Sequence, residues 1–142
     1  MQRRLPVVPL NDEFTGQERR RFVRLYIPLR LKFRLFDPDN ADQQRKIYSA
    51  TTKDISIKAL CMTVPARDRE AWEKILNGIG TVKMEIMLPG RRGVVKASGE
   101  ALRLSTKDGI TYSAGVIFTA IQAAENRKLL SFIRDEIRKT EE

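Results

Sequence analysis

Ile27-Pro28-Leu29-Arg30-Leu31-Lys32-Phe33-Arg34-Leu35 sets apolar residues at every odd position against Pro28, Arg30, Lys32 and Arg34 at the even ones. Side chains of an extended chain point alternately to opposite faces, so a two-residue period means one face in a core and the other in water. The stretch therefore reads as a half-buried strand, with Arg30, Lys32 and Arg34 on its solvated face. Asp37-Pro38-Asp39-Asn40 ends it, because proline and the Asx side chains favour turns. Upstream, residues 1–21 hold Pro6 and Pro9 and show no sustained period. They read as an extended arm, with 1–16 flexible and a single domain spanning 17–142.

Working outward, the next strands are expected at 46–55 and 59–64, separated by a break at Ser56 and closed by Pro65. Residues 66–77 contain good helix formers, with Trp72, Ile75 and Leu76 spaced to share a face, and read as a short helix or lid-like loop ending at Gly78. Further strands are expected at 81–88, 94–104 and 110–118, with Asp108-Gly109 as a hairpin turn between the last two. Arg91 and Arg92, flanked by glycines, read as exposed hairpin residues. Leu129, Leu130, Ile133 and Ile137 then form a helical stripe over 123–140. Six short strands with tight connections and one terminal helix point to a mainly β fold, a small barrel, which also leaves no exposed sheet edge.

Composition narrows the function. The chain has 142 residues, 42% hydrophobic and 32% charged, enough for one soluble domain with a modest core. No apolar run approaches the roughly 20 residues of a membrane span, and no signal-peptide pattern is present, so a cytoplasmic location is expected. The sequence has no histidine and a single cysteine, which removes Ser-His and Cys-His catalysis and the commonest zinc chemistry. Cys61, between Leu60 and Met62, reads as a small buried hydrophobe. The acidic residues are scattered, and no catalytic residues and no metal site are assigned. A net charge of +9 points to an anionic partner, and Arg19, Arg20, Arg21 and Arg24 concentrate that charge just before the first strand.

Three motifs carry a family resemblance. Glu18-Arg19-Arg20-Arg21-Phe22-Val23-Arg24 contains an RxxxR pattern at Arg20 and Arg24. Lys53-Asp54-Ile55-Ser56-Ile57-Lys58-Ala59 is close to [D/N]xSxxG, and Tyr112-Ser113-Ala114-Gly115-Val116-Ile117-Phe118 looks like a GVxF-type last strand before a helix. In this order and spacing they resemble the PilZ domain, over residues 17–137. The resemblance implies a six-stranded antiparallel β-barrel with a C-terminal helix that binds cyclic di-GMP and needs no cofactor. It implies that Arg20 and Arg24, helped by Arg19, contact guanine and phosphate, and that Asp54 and Ser56 contact a guanine from the barrel surface. Ala59 stands at the family's glycine; a positive φ there would strain it by about 1 kcal/mol or more.

The chemistry of the residue types agrees. A guanidinium fork matches a phosphate edge or guanine O6 and N7, and can stack on a purine. A carboxylate accepts from guanine's ring N–H and amino group, which arginine cannot do. The chain is thus expected to be a binding module and not an enzyme: a cyclic di-GMP effector whose arm changes conformation on binding and signals to a partner protein. Its arginine spacing suits either one ligand or an intercalated pair. The alternatives are a degenerate PilZ-like adaptor that binds protein without nucleotide, and a small barrel that binds nucleic acid. An aromatic content of 7% argues against the latter, which needs stacking platforms. The ordinary readings also stand: a solvated basic tail for the arginines, and a capped turn for Asp54 and Ser56.

Overall fold

A computed structural model of the chain describes residues 23–36, 46–78, 81–106 and 110–141. The arm 1–22, the turn at Asp37–Asn40, the hairpin tip at Asp108-Gly109 and the side chain of Trp72 lie outside the described residues. Six strands form a closed barrel in the order β1-β2-β3-β6-β5-β4, every pairing antiparallel. They are β1 (Arg30–Leu35), β2 (Tyr48–Ile55), β3 (Ala59–Val64), β4 (Thr81–Met87), β5 (Val94–Thr106) and β6 (Tyr112–Ala120). A 3-10 turn (Ala66–Asp68) leads into helix α1 (Arg69–Leu76), and α2 (Ala123–Glu141) closes the chain. The expected fold class is therefore the one observed.

Alternation produces this architecture. β1 and β4 keep strict in-out order, which delivers Leu31, Phe33 and Leu35 from one strand and Val82, Met84 and Ile86 from its neighbour into the core. Phe33 stacks on Tyr48 with ring centroids 5.3 Å apart, an offset geometry that adds to simple burial. Gly99 marks a close approach: a Cβ there would lie 2.6 Å from the carbonyl oxygen of Ile117. Only glycine lets β5 and β6 come together at that bulge.

Both helices are fastened by polar contacts over a few buried residues. On α1, Ala71 and Ile75 face the core. Lys74 hydrogen-bonds the Tyr48 hydroxyl at 3.3 Å, and Glu70 pairs with Lys46 and Lys74. On α2, Leu129, Phe132 and Ile133 are buried. Arg92 corrects the sequence reading of an exposed hairpin residue: it is half-buried, pairs with Asp135 and lies 5.8 Å over the Phe132 ring. The glycine-flanked turn brings it under α2, which local sequence does not reveal. Cys61 is also corrected; it holds an outward position of β3 and is half-buried.

Candidate functional site

The segment before β1 is sewn to β2. Leu25 and Ile55 exchange both backbone hydrogen bonds, at 2.8 and 3.0 Å. Farther along, the Thr52 N–H donates to the Leu29 carbonyl at 2.8 Å. The Thr52 hydroxyl accepts from the Leu29 N–H at 2.8 Å and donates to the Ile27 carbonyl at 2.7 Å. Pro28 has no N–H of its own to satisfy, so this threonine, only 3% exposed, closes the hydrogen bonding of an irregular stretch. Thr52 fixes the Ile27–Leu29 stretch against the barrel. Sequence reading passed over it, since a threonine in a strand usually looks solvated.

A β-bulge then decides what faces residues 23–29. Thr52 pairs with Met62 and Asp54 with Cys61, so Lys53 is an extra residue in β2. Tyr48, Ala50 and Thr52 point inward on even numbers, and a regular strand would send Asp54 in after them. Instead Lys53 and Asp54 both face outward and Ile55, fully buried, takes the core position. Bulges commonly re-aim side chains in this way. The sequence signal was the switch of inward parity from Ala50 to Ile55.

The result is a seam at which Arg24 and Tyr26, both exposed, adjoin Lys53 and Asp54. Tyr26, 76% exposed, is an aromatic ring next to charges and was also passed over by the sequence reading. Asp54 is half-buried, and among the described residues no donor bonds its carboxylate. Burial pushes its pKa above the usual carboxylate range, while the nearby charges of Arg24 and then Lys53 pull it back. Such a group is an acceptor without a donor among the described residues, and donors from a ligand would relieve its burial.

The remaining candidates behave differently. Ser56 is buried at 6% exposure, and its hydroxyl accepts from the N–H groups of Lys58 and Ala59 at 3.1 and 3.2 Å. It holds the β2–β3 turn, as the capped-turn reading has it. Ala59 begins β3, and among the described residues no non-glycine has a positive φ. Its backbone is unstrained, so the concern over a missing glycine loses its conformational basis. Arg19 and Arg20 lie outside the described residues. No group of three or more metal-ligating side chains occurs among the described residues, and no helix there is long and apolar enough to cross a membrane.

An arginine, a bulge-presented aspartate and a serine-held turn thus meet on one seam of a six-stranded barrel. The PilZ domain model matches residues 18–135. The chain belongs to the PilZ domain family. Solved structures share the fold at low identity. The PilZ domain of YcgR from Escherichia coli, determined with c-di-GMP, is 19% identical, with a TM-score of 0.53, over 87% of this chain and 98% of that one. MrkH of K. pneumonia, also determined with c-di-GMP, gives a TM-score of 0.63 at 16% identity, over 85% of this chain and 52% of that one. The Bacillus subtilis inhibitor of motility, MotI/DgrA, gives a TM-score of 0.58 at 15% identity, over 85% of this chain and 52% of that one. This PilZ chain thus spans about half the length of the last two. Among curated proteins no sequence relative matches.

Proposed function

We propose that the chain is a non-enzymatic effector of cyclic di-GMP, binding it at the seam between the segment before β1 and β2. The observation that carries this is Asp54: a half-buried carboxylate, unbonded among the described residues, beside Arg24 on a PilZ barrel. Guanine offers it a ring N–H and an amino group side by side, while Arg24, with Arg20 and Arg19 upstream, takes phosphate or the guanine O6/N7 edge. Tyr26 offers a face on which a purine can stack. Ser56 and Ala59 contribute by shaping the turn on which Asp54 is presented. Binding gathers the arginine-rich arm over the seam and so changes the surface offered to a partner protein in the cytoplasm.

Calorimetry with cyclic di-GMP, cyclic di-AMP and GTP tests the assignment. Cyclic di-AMP carries the same phosphates, but its adenines lack the two adjacent donors Asp54 needs, so only cyclic di-GMP should bind well. Asp54→Ala should weaken binding by about 1.5–3 kcal/mol, roughly tenfold to a hundredfold. Equal affinity for the two cyclic dinucleotides would remove Asp54 from the site. No heat with excess cyclic di-GMP at low salt would leave the ligand-free adaptor as the reading.

A further inference from the structure

A second surface carries charge that the nucleotide site does not use. On the outer face of β1, β4 and β5, Lys32, Glu85 and Lys96 stand in one cross-strand row, and Arg34, Lys83 and Ser98 in the next. The two cations Arg34 and Lys83 are direct partners. Like charges placed opposite each other in a ladder repel, and here both side chains are exposed. Among the described residues Lys32, Arg34 and Lys83 form no ion pair. Lys83 has instead the ring of Phe36, at 5.4 Å. Glu125, which could have neutralised the patch, accepts the Lys96 N–H at 2.7 Å and pairs with Lys128 at 3.3 Å.

These residues line a groove of about 1190 Å3. Neither Arg24, Asp54 nor Ser56 lines it, but Ile57 and Lys58 do. Those two residues are the middle of the turn that Ser56 holds, and the Lys58 carbonyl accepts from the Phe118 N–H at 2.9 Å across the groove's edge. The groove also has aliphatic lining, including Ile47, which is 53% exposed.

We infer that this groove is the docking site for an acidic, partly aliphatic segment of a partner protein. The cations that form no ion pair among the described residues favour an anion, and one seated between Arg34 and Lys83 turns their repulsion into attraction. Three features select a protein segment. The surface is concave where a bilayer is flat. Glu85, between Lys32 and Lys96, breaks the positive lining into separate patches, which suits spaced carboxylates better than the unbroken charge of a phosphate backbone. The aromatics present are Phe33, 1% exposed, and Phe118, half-buried, which leaves bases no platform among the described lining residues. A second copy of a chain carrying +9 is disfavoured by charge. The surface supplies the chemistry of the partner in the signalling role above and rests on that reading. The shared turn provides a route by which nucleotide at Asp54 alters the groove.

The test uses fluorescence anisotropy with a labelled synthetic peptide of Glu, Leu and Ser, beside its Lys-for-Glu counterpart, single-stranded oligo-dT and phosphatidylserine vesicles. The acidic peptide should bind, weaken with salt, and lose about tenfold or more in affinity in R34E/K83E. K83E alone replaces a repulsive cross-strand pair with an attractive one, so it should raise Tm while weakening the peptide; a stabilised variant that binds less cannot be dismissed as misfolded. R34E/K83E should keep cyclic di-GMP binding, and Asp54→Ala should keep peptide binding in the nucleotide-free protein, so the two sites fail separately. Unchanged peptide affinity in R34E/K83E, or tighter binding of oligo-dT or vesicles through the same residues, overturns the docking site.

Discussion

Asp54 is the residue at which stability and binding oppose each other. Its folded pKa lies above the unfolded value, so the folded state holds this proton more tightly. Stability from Asp54 is therefore greatest below the unfolded pKa, declines as pH rises to the folded pKa, and stays low beyond it. Chemical denaturation across that range should show the wild type losing ground to Asp54→Asn as pH increases. Ligand affinity should run the other way, since guanine donors need the ionised form: titrations at falling pH should weaken in the wild type and remain weak and flat in Asp54→Asn. Thr52 acts on the same site from inside. Thr52→Val keeps the shape but strands the Leu29 N–H, at a cost of about 1–3 kcal/mol. Urea melts should record that loss, and calorimetry an accompanying drop in nucleotide affinity as the Arg24 segment loosens.

At the scale of elements, strands were legible because their periods are local. The alternation from Ile27 to Leu35 announced β1, although the ladder with its neighbours begins only at Arg30, after Pro28. The hydrophobic stripe of α2 was equally plain. Less visible were features that depend on a distant partner. The bulge at Lys53 is defined by the pairing with β3; within β2 its one trace is the apolar parity that changes between Ala50 and Ile55, so simple alternation misplaces Asp54. Arg92 needed α2 above it to become more than a turn residue. Its role is measurable: Arg92→Ala removes the ion pair with Asp135, the 3.4 Å contact to Ser131 and the cover over Phe132. About 1 kcal/mol should be lost, and hydrogen exchange should quicken in the C-terminal half of α2. Of the candidate site, motif spacing found Arg24, Asp54 and the Ser56 turn, whereas Tyr26 and Thr52 emerged only when residues 23–29 were seen against β2.

For the molecule as a whole, a closed ladder of six strands with two docked helices makes one core. Loss of any strand opens the ring, so unfolding should be all-or-none: near- and far-ultraviolet circular dichroism should follow one coincident transition. Cations stand on two faces of that core, the Arg24–Lys53 seam and the β1–β4–β5 wall, and the chain's net charge of +9 draws anions at long range. Closure has one more consequence. The described strands close into a ring and leave no strand at a sheet edge for another chain to extend, so recognition at the walls falls mainly to side chains. Specificity can then be rewritten one substitution at a time, over a scaffold whose hydrogen-bonded skeleton need not change.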